Sequence, residues 1–263
     1  VPPLTLVAGR ITIGALILLV LLYSKGLRLP APGPIWAAYT VLGIVGNVLP
    51  FFLITWGQQS IDSALAGILM AAMPLATLLL AHFLVKGERV TWGRAGGFLL
   101  GFLGIVLLFE PAAIDRVGGS TLRVISQLSI LCGALCYAAN SVMARLLVRS
   151  DFLVAAAGTM LVSSTIAVPL ALGLNAPWTL EPSASSIAAI VWLGVGPTAI
   201  ATILYYRLIG SAGPTFMSLV NYLSPAIAVF LGVALLGEKP GVNAYAGLAL
   251  ILVGIAFSQW RRR

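Results

Sequence analysis

Nine long apolar runs constrain what this chain can fold into. A helix needs about 20 apolar residues to cross the roughly 30 Å of hydrocarbon in a bilayer. The runs cover residues 4–23, 34–56, 63–85, 92–109, 127–148, 152–174, 184–209, 215–236 and 243–260. They are continuous rather than alternating, and lipid cannot satisfy open strand edges, so they predict helices and not barrel strands. Only 8% of the 263 residues are charged. We therefore expect an all-α polytopic membrane protein.

The basic residues are distributed unevenly between the two sides of this arrangement. If the C-terminal arginines are cytoplasmic, ten basic loop residues lie on their side and three on the other. The ten are Lys25, Arg28, Lys86, Arg89, Arg94, Arg145, Arg149, Arg261, Arg262 and Arg263, and the three are Arg116, Arg123 and Lys239. This positive-inside bias explains the net charge of +8 without a nucleic-acid partner. It predicts a multi-pass protein of the inner (plasma) membrane with a cytoplasmic C-terminus.

Two segments of the chain resemble each other. Gly97 and Gly104 follow Glu88 by 9 and 16 residues, and Gly247 and Gly254 follow Glu238 by the same steps. A proline precedes each glutamate, at Pro74 and Pro225. The predicted topology places the Glu88 loop in the cytoplasm and the Glu238 loop outside, so the copies are antiparallel. Inverted repeats of this kind build many secondary transporters, with the substrate site between the halves near the bilayer midplane.

The repeat predicts how the chain is divided. We expect one repeat over residues 1–109, a Pro-rich and charged connector over 110–126, and a second repeat over 127–263. Four runs precede the connector and five follow it, which leaves the amino terminus outside. We therefore expect one further helix before Val1, so that the parent protein has ten helices in two inverted five-helix repeats and nine are visible here.

The two repeat ends resemble the EamA family of the drug/metabolite transporter superfamily. The resemblance is carried by Ala71-Ala72-Met73-Pro74 with Lys86-Gly87-Glu88-Arg89, and by Leu223-Ser224-Pro225 with Leu235-Leu236-Gly237-Glu238-Lys239. A glycine-bearing helix follows each end, and Val7-Ala8-Gly9-Arg10 in the first helix also looks like the family. Members similar to this chain include amino-acid and metabolite exporters of the YddG type. The resemblance implies such a role here.

Several functions are excluded because the apolar runs lack the residue types that these functions need. All seven acidic residues lie in loops or at helix ends, whereas a proton-coupled exporter of cations usually needs a carboxylate within the membrane. With one histidine, neither an acid pair nor a Ser-His-Asp set can be assembled, so we do not expect an enzyme. Cys132 and Cys136 have neither redox nor zinc spacing. We expect no metal and no cofactor.

Polar and aromatic residues within the runs are the candidates for contact with a solute. Pro74 and Pro225 deprive the carbonyls of Met70 and Asn221 of their helical partners, which lipid tolerates only where they face protein or a water-filled cavity. A helix-packing seam with a kink accounts for these residues equally well. The cavity-lining candidates are Asn47, Met70, Tyr137, Asn140, Tyr205, Ser218, Asn221 and Tyr222, and the structural or hinge candidates are Pro74, Pro225, Glu88 and Glu238.

Two further features leave alternatives open. Arg10 could bind a substrate carboxylate, or it could pair with helix-end carbonyls or lipid phosphate. The sequence favours the pairing. The stripe Gly93, Gly97, Gly101 and Gly104 suits dimerisation or packing within one chain, so a monomer and a homodimer both remain open.

Together these patterns predict a secondary transporter that exports small neutral or zwitterionic metabolites, amino acids above all. The central cavity would be formed by the runs that start near 34, 63, 127, 184 and 215, together with the helix expected before Val1. The halves would rock between inward-open and outward-open states. The partners would be a small-molecule substrate and the lipid bilayer. The alternatives are a sugar-phosphate or nucleotide-sugar antiporter, which needs more cations than Arg10 and Arg207, and a lipid-handling, flippase-like subunit.

Overall fold

The computed structural model describes residues 1–108, 117–148, 150–225, 227, 234 and 241–259, and all regular structure within these ranges is helical. The α-helices are α1 Pro3–Ser24, α2 Ile35–Gly43, α3 Leu49–Gly57, α4 Ser63–Met70, α5 Ala72–Leu84, α6 Trp92–Leu108, α7 Thr121–Leu147, α8 Phe152–Asn175, α9 Ala184–Gly194, α10 Ala201–Ala212, α11 Pro214–Ser218 and α12 Val242–Gln259. Residues 220–225 are also helical. A 3₁₀ turn covers Pro177–Thr179.

Two of the long apolar runs contain a π-helical segment. Ile44–Val48 joins α2 to α3, and Val195–Ile200 joins α9 to α10. The amide of Leu49 bonds the carbonyl of Ile44, and that of Ala201 bonds the carbonyl of Gly196, so each bond spans five residues instead of four. A π segment widens the helix locally and is frequent at functional sites.

Seven stretches of the described chain are long and apolar enough to cross a membrane. They are Pro3–Ser24, Ile35–Gly57, Ser63–Leu84, Thr121–Leu147, Phe152–Asn175, Ala184–Ala212 and Val242–Gln259, and Trp92–Leu108 is a shorter apolar helix of 17 residues. The run predicted over 215–236 lies partly outside the described residues. The all-helical, polytopic character is confirmed, and the count of nine stays a prediction.

The chain forms two compact units, and neither is a continuous stretch of sequence. Unit 1 contains Val1–Thr55 and Met143–Gly213, and unit 2 contains Trp56–Val142 and Pro214–Arg263. Unit 1 packs α1 against α8 and α9, and α8 against α2 and α10. Unit 2 is dominated by the packing of α6 against α12. Each unit therefore takes helices from both sides of the predicted connector.

The helix around Pro74 differs from the uninterrupted run that the sequence predicts. The first helix of this pair ends at Met70, and the amide of Ala71 bonds the carbonyls of Gly67 and Ile68 in a tight turn. Pro74 consequently lies in the first turn of α5, where a missing N–H leaves no gap in the hydrogen-bond ladder. Pro74 has no N–H for the Met70 carbonyl, and the break at Ala71 directly follows Met70.

The start of α7 also differs from the prediction, because it lies at Thr121, within the segment predicted as connector. The polar first turns extend the helix beyond its apolar run. Gln127 anchors them, since its side chain donates to the carbonyl of Gly118 and accepts from the Gly118 amide at 3.1 and 2.9 Å. Residues 110–116 of the predicted connector lie outside the described residues.

In unit 2, α6 and α12 cross at four glycines. A Cβ atom at Gly97 would lie 2.5 Å from the carbonyl oxygen of Gly254, and one at Gly104 would lie 2.8 Å from that of Gly247. The reverse contacts of Gly247 and Gly254 are equally short, at 2.6 Å each. Small residues let helix backbones approach in this way. These glycines of the α6 stripe therefore serve packing within the chain.

Adding a single methyl group at this crossing tests the packing. We expect Gly104→Ala to lower the thermal unfolding midpoint of the detergent-purified protein by several degrees, because a methyl group forced against backbone costs roughly 1–3 kcal/mol. Gly93→Ala is the matched control on the same helix, since its Cβ would lie 3.7 Å from the nearest atom, the carbonyl oxygen of Phe257. Equal midpoints for the two variants would contradict the close crossing.

Candidate functional site

In unit 1, the two π segments lie where other helices cross their spans. A Cβ atom at Gly43, just before the first π segment, would lie 2.9 Å from the Ser163 hydroxyl of α8. One at Gly194, just before the second, would lie 2.7 Å from the Ile13 side chain of α1. Glycine is required at both positions because a larger residue would push the crossing helix away. The crossings bring polar side chains onto each π segment.

The first crossing holds a chain of buried hydrogen bonds. The Asn47 amide nitrogen donates to the Ser163 hydroxyl at 3.0 Å, and Ser163 donates to the Thr159 carbonyl at 2.7 Å. One helical turn away, the Thr159 and Tyr206 hydroxyls are 2.9 Å apart. Asn47 is thus placed by the π segment, but its amide nitrogen is engaged with α8. Polar groups in lipid need such internal partners.

The second crossing holds a cation. Arg10 of α1 is half-buried, and its Nε donates to the Thr198 hydroxyl of the π segment at 3.0 Å. Its guanidinium carbon lies 4.0 Å from the centre of the Phe51 ring, which is a cation–π distance. The carbonyl of Thr198 accepts from the Thr202 hydroxyl at 2.6 Å. The guanidinium is therefore fixed in direction by a hydroxyl and an aromatic face.

In unit 2, a cavity of about 310 Å³ opens beside the broken helices. Its lining contains three residues singled out from the sequence, Met70, Asn221 and Pro225. The remaining lining residues are Gly67, Ala71 and Ser224. The side chains of Asn221, Ser224 and Met70 give the cavity amide, hydroxyl and thioether groups, and none of the six lining residues carries a fixed charge.

The cavity residues are tied to α7 through methionine. Met73 is buried in a cluster with Ala134 and Ala138 of α7, and Met70 and Tyr137 pack against this cluster. The Asn221 side-chain amide contacts the Met73 sulfur. Asn140 lies one turn after Tyr137 and is 5% exposed. The structure therefore places Met70, Tyr137 and Asn221 in one neighbourhood of unit 2.

The other three cavity candidates lie elsewhere. Ser218 is fully buried and donates to the Thr215 carbonyl at 2.8 Å. Tyr222 is also fully buried, its hydroxyl donates to the Phe98 carbonyl at 3.0 Å, and its ring lies against Gly101. Tyr205, in unit 1, makes an edge-on contact with the Tyr206 ring. None of the three lines the cavity beside Asn221.

Of the two repeat glutamates, one can be described. Glu88 is 8% exposed and forms a 3.3 Å ion pair with Arg94, which also donates to the Arg89 carbonyl. This pair closes the turn between α5 and α6 and supports a structural role. Glu238 lies outside the described residues.

Sequence reasoning missed the π segments, Thr198 within the second of them, and Ser163, the partner of Asn47. Prolines within the apolar runs were the available signal. Pro50 and Pro197 remove N–H groups that would bond Gly46 and Leu193 in a regular helix, and each proline lies next to or inside a π segment. Within the described ranges, no group of three His, Cys, Asp or Glu residues is placed to hold a metal ion.

Comparison with known proteins agrees with this architecture. A crystal structure that shares 26% sequence identity superposes with a TM-score of 0.83, over 98% of this chain and 89% of that chain. The inner membrane transporter YedA of Escherichia coli K12, described as uncharacterized, is 25% identical over 256 residues, which are 97% of this chain and 80% of YedA.

Two further relatives are described as transport proteins. The uncharacterized transporter YoaV of Bacillus subtilis is 23% identical, over 97% of this chain and 86% of YoaV. A probable terminal-alkyne amino-acid exporter of Streptantibioticus cattleyicolor is 25% identical, over 94% of this chain and 80% of that protein. The EamA-like transporter family matches residues 1–110 and 124–260. With helices that span a membrane and a match over nearly its whole length, the chain belongs to the EamA-like transporter family.

Proposed function

We propose that this transporter exports small neutral or zwitterionic metabolites, amino acids above all, across the inner membrane by alternating access. One relative is named as a probable amino-acid exporter and another as an inner membrane transporter, which supports the substrate class and the location. The relatives are named as transporters, which supports a carrier rather than an enzyme.

The Arg10 guanidinium carries the proposal. It lies on the eighth residue of a 22-residue span, and an ionisable residue within a span is costly unless it has a function or a partner. Thr198 and Phe51 hold the guanidinium in one orientation. A planar guanidinium binds carboxylates with two parallel hydrogen bonds, so an α-carboxylate is the ligand group that suits it.

The absence of acidic residues from the candidate spans indicates which solutes suit Arg10. None of the seven candidate spans contains an aspartate or glutamate. A solute with a net positive charge would find no counter-charge in those spans, whereas a carboxylate finds Arg10. A neutral or zwitterionic amino acid is therefore favoured over a cationic drug, and transport should not depend on a carboxylate that exchanges protons.

The cavity in unit 2, considered by itself, suits small neutral solutes with an apolar part. Met70 and the carbon face of Pro225 are apolar, and Asn221 and Ser224 add neutral hydrogen-bonding groups. Methionine fills irregular space and adapts to different apolar shapes. This chemistry supports solutes with an apolar side chain, and none of the lining residues of the cavity is charged.

We further propose that the two halves are inverted five-helix repeats of a ten-helix protein with a cytoplasmic C-terminus. The π segments support this, since Asn47 and Thr198 each lie four residues after the glycine at a crossing. The partners are exchanged between the predicted repeats, because α8 supplies Ser163 to Asn47 and α1 supplies Arg10 to Thr198. Domain-like repeats that exchange helices suit a rocking mechanism.

Flux of labelled neutral amino acids from proteoliposomes tests the proposed function. We expect saturable flux that does not need a pH gradient. We expect Arg10→Gln to lower kcat/KM by about tenfold to a hundredfold, because a charge-assisted hydrogen bond contributes roughly 1.5–3 kcal/mol. Arg10→Lys keeps the charge and should retain more activity than Arg10→Gln.

The matched control is Arg28→Gln, which makes the same change at an exposed arginine of unit 1. Transport activity is expressed per amount of folded protein, and the thermal unfolding midpoint of each variant is measured beside it. Absence of flux for every amino acid would reject the substrate class. Flux that Arg10→Gln leaves unchanged would reject the role of Arg10.

Pro225 provides a separate test of movement at the cavity in unit 2. Pro225→Ala restores an N–H that can bond the Asn221 carbonyl, so it should straighten and stiffen the helix. We expect folding to be retained and the rate of transport to fall several-fold, measured as kcat in the same flux assay. Pro214→Ala, at the first residue of α11, is the control because a proline there breaks no helical bond. Unchanged flux in Pro225→Ala would count against a hinge.

A further inference from the structure

A second cavity lies in unit 1 at the ends of three spans. It has a volume of about 340 Å³ and lies where α7 ends, α8 begins and α10 ends. This size is within the range of small-molecule sites. It shares Tyr206 with the hydrogen-bond chain of the first crossing, but neither Asn47 nor Arg10 lines it, and the proposed transport does not use it.

The cavity is lined by charges of both signs that are not paired with each other. Arg145, Arg207 and Asp151 all line it. Within the described part of the chain the one ion pair is that of Arg94 with Glu88, so neither arginine reaches Asp151. Opposite charges that share a cavity without meeting leave each available to a ligand group of the other sign.

Each charge is held at the cavity by its own contacts. Arg145 donates through one terminal nitrogen to the carbonyls of Gly210 and Ile209 at 2.7 and 3.3 Å. This bond occupies one edge of the guanidinium and fixes the group at the end of α10. Arg207 is exposed, and its side chain makes no hydrogen bond with any residue that the structure describes.

Only one of the two carboxylate oxygens of Asp151 accepts a hydrogen bond from the described residues. Its Oδ1 accepts from the Leu153 amide at 2.8 Å and caps α8. Among the described residues no bond involves its other oxygen. The carboxylate is therefore oriented by the helix and still has an acceptor directed away from the cap.

The rest of the lining is neutral and largely apolar. Val148, Phe152 and Ile209 provide apolar walls, and Ser150 adds a hydroxyl that already contacts Tyr39 at 3.1 Å. The position at the ends of the spans is the depth at which phospholipid headgroups lie, and basic pockets between spans are known to bind them. A headgroup with an attached apolar chain suits such walls.

We propose that this cavity binds a zwitterion with a primary ammonium group, whose oxyanion contacts Arg207 and Arg145 and whose ammonium contacts Asp151. An aminophospholipid headgroup is the source that the membrane-boundary position favours. A free amino acid has the same pair of groups, with a carboxylate in place of the phosphate.

Calorimetric titration of the purified full-length chain in maltoside micelles tests this site. The titrants are short-chain phosphatidylethanolamine, phosphatidylcholine and phosphatidylglycerol, with leucine as the soluble zwitterion. Choline has no N–H to donate, and the glycerol headgroup has no cation. We expect the ethanolamine lipid to bind about tenfold more tightly than the other two, which corresponds to one charge-assisted hydrogen bond.

Two variants test the oxyanion and the ammonium group of the ligand separately. Arg207→Gln should weaken the ethanolamine lipid about tenfold, because it removes the partner of the oxyanion. Asp151→Asn keeps a good helix cap and should abolish the preference for ethanolamine over glycerol. Arg28→Gln, an exposed arginine outside the cavity, should leave every affinity unchanged.

The outcomes decide both the chemistry and its source. Binding of the ethanolamine lipid that responds to both variants supports the proposal with lipid as the source. If leucine instead binds and responds to both variants, the zwitterion site stands and its source is the solute. Equal affinity for all three lipids, or affinities that neither variant changes, would overturn the proposal.

Discussion

Lipid offers no hydrogen bonds, and the rest of this structure depends on how the chain satisfies its polar groups without them. In unit 1 the answer is a pair of crossings, where a glycine admits a second helix and a π segment presents a polar side chain to it. Asn47 meets Ser163 in one crossing, and Thr198 meets Arg10 in the other. In unit 2 the helix breaks at Ala71, so that Pro74 lies in the first turn of α5, where its missing N–H leaves no gap in the hydrogen-bond ladder. Polar groups are therefore gathered at helix crossings and helix breaks.

The same constraint relates packing to function. Between α6 and α12, glycines bring the backbones into direct contact and the helices cross closely. Where a cation enters a span, as at Arg10, the neighbouring helices must supply a hydroxyl and an aromatic ring. Unit 2 therefore has a close backbone crossing, and unit 1 has π segments that carry polar side chains.

The sequence predicts most of the fold, because spans are long and their apolar character is set by lipid. Met70, Tyr137 and Asn221 could also be predicted as candidates, since prolines and polar residues within apolar runs indicate them. The partners of Asn47 and Thr198 could not be predicted, because they lie on helices that cross from far along the chain. Asn47 and Ser163 are 116 positions apart, and Arg10 and Thr198 are 188 apart. A lone serine or threonine in an apolar run does not reveal such a partner.

The inverted arrangement of the two halves is the central claim, and labelling of single cysteines tests it most directly. In a background with Cys132 and Cys136 replaced by alanine, Arg89→Cys and Gly241→Cys would each be exposed to a membrane-impermeant maleimide, both positions being exposed in the structure. The inverted repeat predicts that residue 241 reacts in intact cells and that residue 89 reacts only after the cytoplasmic side is opened. Labelling of both positions from the same side would contradict the inversion and, with it, the proposed mechanism.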